Sequence, residues 1–444
     1  MKFSFLSIAA VIALAFAYCF NSGQISLYIP YTLLVIILLK IVTFKWVPIF
    51  IKFLIGLFLL GNWLKVTLHG IFEYPYVEAT GQFAGTDKQW DDFFSYSIVI
   101  ALGLICAAFP TSSSTRVSGS KVDGLCRPIE DKTSNRFAVA LILIIYALNW
   151  EYGFYRIGVA RELYLPFGLD APASFMVYLG APMIIAILAM NSVTQKGSVT
   201  LLALLSLSAS SILSAVVTYS RASVVVLLVP IVLGMYIRSR ELNSRAQSVV
   251  PLIIILIPLT LIILVLVSAL RIQIFGGADL ITRSAIDFYL LESIGLFVDR
   301  WIGAESLMVS VSSDQSLDLF FRMLVEDQTI GVQGIYQYLA NSQYLQLFLE
   351  NMTFLTLPGA FALLSFSGSF VLVFLGVLII GLFGRSIEKI VVITFPGNYP
   401  LHYLISGNLA YTFSQVVFPQ LLIPYVIQLL FVIIILRLFL SKIK

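Results

Sequence analysis

The residues best suited to chemistry lie in one polar stretch, residues 299–305, with the sequence DRWIGAE. It offers a cation in Arg300, an aromatic plane in Trp301 and a carboxylate in Glu305; the last two share one face if the stretch is helical. A guanidinium binds phosphate bidentately, and a carboxylate is a general base toward a hydroxyl group. The pattern predicts recognition of phosphate or sugar by Arg300, with Glu305 as base. The alternative is an ion pair of Arg300 with Asp299, Glu305 or another nearby acid that only shapes the stretch.

Two further arginines have polar or aromatic neighbours. Arg221 occupies a tight turn, TYSRAS at 218–223, between two apolar stretches. Its guanidinium, with the neighbouring hydroxyls, suits either a phosphate or diphosphate ligand or an anchor to lipid phosphates. Arg156 follows the aromatic sequence EYGFY at 151–155, which suits either sugar stacking or an interfacial aromatic belt. Less clustered candidates of the same kind are Arg271, Arg283 and Arg322.

Metal and nucleotide chemistry have no motif in this sequence. The two histidines, His69 and His402, do not form a metal-ligand spacing, and no His/Cys/Asp pattern accompanies them. Gly276 and Gly277 stand outside any phosphate-binding loop pattern. We therefore predict no metal ion, no cofactor and no nucleotide-driven transport. The net charge of +4 is small and reports topology, not nucleic-acid binding.

The elements that position these residues belong to a membrane protein. Of 444 residues, 59% are hydrophobic and 11% are charged, and the mean hydropathy is +0.98. A water-soluble globular domain of this size would not tolerate such a composition. The apolar runs are continuous, and only helices or closed barrels satisfy the backbone in lipid. We therefore predict an all-α, polytopic membrane protein with a single integral membrane domain over residues 1–444.

We predict about twelve membrane spans from the apolar runs, several of which, such as 421–440, have the roughly 20 residues needed to cross a bilayer. They cover roughly residues 3–20, 26–44, 47–64, 93–109, 137–150, 173–190, 199–218, 222–237, 250–269, 357–381, 399–416 and 421–440. The lysine- and arginine-rich connections, including 111–136, fall on one side, which places them and both termini in the cytoplasm. On the other side lie a polar loop at 65–92, a short connection at 151–170 and a long loop at 270–354. The long loop holds ten carboxylates and no lysine.

Three short stretches resemble the bacterial O-antigen or oligosaccharide repeat-unit polymerases, often called the Wzy-type family. They are YSRAS at 219–223, RWIG at 300–303 with Glu305, and LPGA at 357–360 with SGS at 367–369. The first opens an apolar span, and the last enters the span that follows the long loop. The resemblance implies a bundle of about twelve transmembrane helices of the GT-C-like, O-antigen polymerase–ligase type, in the bacterial inner (cytoplasmic) membrane.

The resemblance also implies an activity. Members transfer a glycan from its undecaprenyl diphosphate carrier to a sugar hydroxyl of another carrier-linked unit, without a metal, on the periplasmic side. The implied roles are diphosphate binding for Arg221 and contact with acceptor or diphosphate for Arg300. The implied partners are undecaprenyl-diphosphate-linked oligosaccharide, membrane lipids and a membrane protein that regulates chain length.

Two other functions share this topology. An O-antigen ligase uses lipid A core as acceptor and typically has a histidine in the long outer loop, whereas residues 270–354 contain none. A lipid-linked oligosaccharide flippase is expected to have short outer loops and charged residues buried within its spans. Here the predicted spans are nearly free of charge and the polar residues concentrate in one loop. This distribution favours the polymerase.

Overall fold

The computed structural model describes the greater part of the chain. The described residues are 2–22, 26–76, 78–109, 132–156, 165, 169–191, 193, 201–220, 224–242, 265, 267, 301, 303–326, 334–342, 358–415 and 419–442. Four of the arginines singled out by sequence lie outside these ranges, namely Arg221, Arg271, Arg283 and Arg300. Nearly all of the predicted span 250–269 lies outside them too.

The described secondary structure is helical. In chain order the helices are α1 (Lys2–Ser22), α2 (Tyr28–Val42), α3 (Ile49–Phe72), α4 (Asp87–Ala108), α5 (Lys132–Tyr152), α6 (Asp170–Phe175, Met176–Gly180 and Ala181–Asn191), α7 (Leu201–Thr218), α8 (Val224–Leu228 and Val229–Leu242), α9 (Ala304–Val311), α10 (Leu317–Val325), α11 (Ile335–Ala340), α12 (Gly359–Ser365), α13 (Phe370–Thr394), α14 (Tyr399–Gln415) and α15 (Pro419–Lys442). Among described residues, four helices are long and apolar enough to cross a membrane: α3, α4, α6 and α13. The chain is a helical membrane protein, and the number of twelve spans stays a prediction.

Two helices differ from their predicted bounds. The third predicted span ends at residue 64, whereas α3 continues to Phe72. Lys65, Thr67 and His69 interrupt the apolar pattern there, but each is buried with a partner, so the helix continues through them. The predicted span 357–381 is divided into α12 and α13 by a turn at 366–369, where Gly368 has a φ of 68°.

The last turns of α13 fix one end of the bundle, which we call the basic end. Arg385 donates to the carbonyl oxygens of Ala108 and Phe109, at 3.3 and 2.8 Å, where α4 ends. Glu388 accepts hydrogen bonds from the first two backbone N–H groups of α3, at 2.9 and 2.8 Å. A cation at a helix C-terminus and a carboxylate at an N-terminus both complement the helix dipole. Thus α3 runs antiparallel to α4 and α13.

Small residues let α4 and α13 pack closely along their length. A Cβ atom at Gly381 would lie 2.5 Å from the Cβ of Ala107, and one at Gly103 would lie 3.0 Å from Val377. Membrane helices associate through such close backbone approach, because lipid supplies little hydrophobic drive between them.

Short helices cover the opposite end of the bundle, which we call the loop end. Helices α9 to α12 pack around a core of their own, formed by Val309, Phe320, Met323, Tyr336, Ala340, Ala360, Leu363 and Phe366. The N–H of Ser316 donates to the carbonyl of Phe366 at 2.9 Å, and that of Gly81 to the carbonyl of Ala340 at 3.1 Å. The described part of the long loop therefore packs on the bundle and on the segment after α3.

Candidate functional site

Lys65 places a charged group inside a membrane-length helix. It follows a π-helical turn of α3, Leu59–Leu64, and its side chain is 0% exposed. A π-helical turn inserts an extra residue into a helix and is frequent at functional sites. Ionisable residues within membrane helices are rare and need a partner within the protein. The residue that pairs with Lys65 therefore indicates where a functional site lies.

That partner is Glu305, in the first turn of α9. The Nζ of Lys65 lies 2.6 Å from Oε1 of Glu305 and also donates to the carbonyl oxygen of Trp301 at 2.9 Å. Glu305 is 3% exposed. Because α9 begins at Ala304, Trp301 precedes the helix, and the expected shared helical face of Trp301 and Glu305 does not form. Instead, the backbone carbonyl of Trp301 and the carboxylate of Glu305 both contact the ammonium group of Lys65.

Burial of this pair has an electrostatic cost. Desolvation raises the pKa of the Glu305 carboxyl group, and the Lys65 ammonium group opposes that shift. Removing one member of a buried ion pair costs about 3–5 kcal/mol, whereas replacing both with apolar residues is often neutral. Stability alone is thus a poor reason for this pair. Positioning of the loop or chemistry at the carboxylate explains it better.

A second carboxylate and a phenol lie close to Glu305. The charge of the half-buried Glu78 adds to the upward shift in the pKa of Glu305. The Tyr336 hydroxyl is buried next to the Ser306 hydroxyl, and it makes no hydrogen bond of ordinary geometry among the described residues. Burial, followed by the charges of Glu305 and Glu78, holds the pKa of Tyr336 well above its ordinary value. Tyr336 therefore presents a neutral hydroxyl donor near two carboxylates.

Hydrogen bonds inside the bundle support the π-helical turn. The Asn62 side-chain oxygen accepts from the hydroxyls of Tyr31 at 2.9 Å and Ser97 at 3.3 Å. The indole N–H of Trp63 donates to the Thr32 hydroxyl at 3.1 Å. These bonds join α3 to α2 and α4, so Lys65 stands on a segment held from two sides.

Gly303 lets the start of α9 approach the backbone of α3 at Gly61. A Cβ atom at Gly303 would lie 2.6 Å from the carbonyl oxygen of Gly61. The backbone of Gly303 has a φ of 169°, an extended value open to any residue, so contact alone requires glycine there. A small cavity next to this contact is lined in part by Asn62, Leu307 and Phe361.

The arrangement offers a base, a cation and a neutral donor in one place. An ionised Glu305 can accept a proton from a hydroxyl group, and Lys65 can neutralise charge on a neighbouring oxygen. Both side chains are closed to solvent in this conformation. No ligand group can therefore touch Glu305 while α9 lies on α3 in this way.

Arg156 lies at a different position, beside the end of α7. Its guanidinium carbon is 5.5 Å from the centroid of the Tyr219 ring, and the guanidinium donates to the carbonyl oxygen of Trp150. Tyr219 has a left-handed φ of 52° and stands two positions before Arg221 in the chain. Arg156 therefore packs on the turn that leads to Arg221, and a cation over an aromatic face stabilises that turn.

Arg322 lies on the exposed side of α10, and its NH1 is 4.0 Å from Oδ2 of Asp318. An exposed pair of this length contributes little to stability. The structure thus brings together Glu305 and Trp301 among the predicted residues, and it places Arg156 and Arg322 apart from them. The predicted residues Arg221, Arg271, Arg283 and Arg300 are outside the described ranges.

Sequence reasoning missed Lys65, Glu78 and Tyr336. A sequence signal exists for Lys65: if the third predicted span is extended to Phe72, a lysine lies inside a membrane-length helix. An intramembrane ionisable residue is a functional candidate by default. Nothing in the local sequence pairs Glu78 or Tyr336 with Glu305, because these contacts depend on how the loop folds onto the bundle.

Among the described residues, no group of three or more His, Cys, Asp and Glu side chains is arranged to hold a metal ion. Comparisons with protein-family models, with curated proteins and with solved structures found no match.

Proposed function

We propose that this chain polymerises undecaprenyl-diphosphate-linked oligosaccharide repeat units, as a metal-independent glycosyltransferase of the Wzy type at the periplasmic face of the bacterial inner membrane. One observation carries the proposal: the buried contact of Lys65 with Glu305, which holds a polar loop on one end of a membrane helix bundle. A lipid-linked glycan needs an apolar surface for its polyprenyl chain and polar groups for its diphosphate and sugars. Exposed apolar side chains at the start of α13, Phe370 and Val371, and the polar Lys65–Glu305 pair support this proposal.

Glu305 is the proposed base. The acceptor hydroxyl attacks the anomeric carbon of the donor, and its proton passes to the Glu305 carboxylate as the glycosidic bond forms. The bond from that carbon to the diphosphate oxygen breaks, and its electron pair leaves with the undecaprenyl diphosphate. A general base works best when its pKa lies near the operating pH. Burial raises the pKa of the Glu305 carboxyl while α9 lies on α3, so the base holds a proton more readily in that closed conformation than once it is exposed.

Cations are proposed to stabilise the leaving diphosphate, which gains negative charge as the bond breaks. The candidates are Arg221, Arg300, Arg271 and Arg283. Arg156, packed on Tyr219, would hold the turn that presents Arg221. When α9 moves to expose Glu305, the Lys65 ammonium group would lose its contact with that carboxylate and come within reach of a phosphate oxygen.

One observation favours a flippase as a second candidate. Lys65 is a buried charge within a membrane-length helix, and transporters place such groups along their substrate routes. A polymerase needs the Glu305 carboxylate to accept a proton. A flippase needs only a conformational change that makes or breaks the ion pair. An O-antigen ligase stays a third candidate, disfavoured by the lack of histidine in residues 270–354.

The test is the electrophoretic ladder of surface polysaccharide in a host that lacks this gene. A single band of core plus one unit, restored to a full ladder by the wild-type gene, supports the polymerase. Loss of every capped band, with long glycan accumulating on the lipid carrier, supports the ligase. Loss of capped bands with single units trapped at the cytoplasmic face supports the flippase.

A further inference from the structure

Helix α10 (Leu317–Val325) has two apolar faces, and the protein covers one of them. Phe320 and Met323 are buried in the core of the loop end. The Ser316 hydroxyl caps the helix by accepting from the N–H of Leu319 at 3.1 Å. The helix is therefore a formed element whose buried face accounts for only part of its apolar residues.

The second apolar face is exposed. Leu317, Phe321 and Val325 are 51%, 56% and 74% exposed and succeed one another at four-residue spacing. At about 100° per residue they lie within about 80° of one another around the helix axis. Asp318 and Arg322 follow along one edge of this stripe and are also exposed. Helix α10 is therefore apolar on the side that faces the protein and on the exposed stripe, and it is charged along one edge of that stripe.

The position of α10 makes the stripe continuous with lipid-facing surface. The helix starts beside the turn before α13, where Ser316 donates to Phe366, and Gln315 accepts from the Tyr96 hydroxyl of α4 at 2.8 Å. It also contacts α15. The neighbouring outer surfaces carry exposed apolar side chains, namely Phe370, Val371, Leu375 and Ile379 on α13 and Ile423 and Ile427 on α15. Exposed rows of this kind on membrane helices face acyl chains.

We propose that α10 is an interfacial helix that binds the phospholipid leaflet at the loop end. Its stripe of Leu317, Phe321 and Val325 lies among acyl chains, and its charged edge lies at the headgroups, where Arg322 meets phosphate. Helices with an apolar face, a charged edge and an orientation in the membrane plane bind bilayers in this manner. A second copy of the chain fits less well, because three side chains on one short helix cover much less area than a stable dimer needs.

The inference does not rest on the proposed function, since a polymerase, a ligase and a flippase would share the lipid contact. Its test uses the full-length chain in phosphatidylcholine–phosphatidylglycerol vesicles, with Cys19, Cys106 and Cys126 replaced by alanine. Single cysteines at Phe321→Cys and Val325→Cys carry a nitroxide, and collisions with oxygen and with a water-soluble nickel chelate are measured. Val371→Cys on α13 is the lipid-facing control, and Asp318→Cys is the control on the charged edge.

We expect the labels at 321 and 325 to behave like the label at 371, with frequent oxygen collisions and few nickel collisions. The label at 318 should shift toward nickel. Nickel access at 321 equal to that at 318 would place the stripe in water and overturn the proposal. Low access to both reagents, with spin–spin broadening that grows with the protein-to-lipid ratio, would overturn it in favour of a second copy. Thermal unfolding of each labelled variant checks that it retains the fold.

Discussion

Lys65 and Glu305 are 240 positions apart in the chain, yet their side chains meet at 2.6 Å and both are excluded from solvent. Lys65 belongs to a membrane-length helix, and Glu305 belongs to the long loop after the predicted ninth span. The attachment of the loop to the bundle therefore depends in part on one ion pair. Either partner can be removed to test what the pair does.

Lys65→Met should destabilise the protein by about 3–5 kcal/mol, because the carboxylate of Glu305 is left buried without its cation. The double variant Lys65→Met/Glu305→Leu should recover most of that loss, since neither charge remains. Thermal unfolding in detergent measures both. Lys389→Met, which changes an exposed lysine of α13, is the matched control and should unfold like the wild type.

The same double variant separates folding from catalysis. If Glu305 is the base, the restored protein still makes no long glycan, and the host shows only the core-plus-one-unit band. A full ladder from a folded protein that lacks Glu305 would remove the carboxylate from the mechanism. The ion pair would then be required neither for the chemistry nor for docking the loop.

The pH dependence of polymerisation should report the raised pKa of Glu305. A base must be ionised, so the rate falls as the pH drops through the folded-state pKa, which burial moves above the ordinary value of about 4.3. In Lys65→Met the ammonium group no longer lowers the pKa of Glu305. The fall in rate at acidic pH should therefore begin at a still higher pH. Rates in proteoliposomes supplied with lipid-linked units measure this pH dependence. If the pH dependence of the rate is the same in Lys65→Met as in the wild type, Glu305 is not the base.

Composition and charge predict the class of fold because they determine which segments are stable in lipid and which must lie in water. Continuous apolar runs need lipid, and the cations of the short connections predict which side is cytoplasmic. Local polarity was a poorer guide to where a helix ends. At Lys65 the sequence suggests a loop, but the helix continues, because the lysine finds its counter-charge in a distant segment.

The site was predictable only in part for the same reason. Glu305 and Trp301 stand in a dense polar stretch and can be recognised locally. Their shared contact is set by tertiary packing: Lys65 reaches both because α9 starts only after Trp301 and docks on α3. Tyr336 comes near Glu305 through the fold of the loop, and no spacing rule relates residues on separate short helices.

Gly303→Ala should disrupt the site by contact alone. The added methyl group would lie 2.6 Å from the carbonyl oxygen of Gly61, a backbone atom that cannot move aside easily. We expect α9 to shift from α3, a loss of about 1–3 kcal/mol and shortened glycan. The matched control is Gly56→Ala on α3, where the new methyl group meets nothing within 4 Å. Thermal unfolding and the polysaccharide ladder measure both variants, and equal behaviour would show that close approach of α9 is not required.

Arg221→Ala and Arg300→Ala should each abolish long-chain glycan while the protein stays in the membrane. The proposed function gives both guanidinium groups to the diphosphate or the acceptor, and bidentate binding of phosphate is lost with the side chain. Lysine at either position keeps the charge but not the fork of donors, so Arg→Lys should give short chains at a reduced rate. Arg240→Ala, an exposed arginine near the end of α8, controls for the general loss of a cation. The ladder and the amount of protein in the membrane fraction are the two readouts, and normal glycan length in both alanine variants would show that neither arginine handles the substrate.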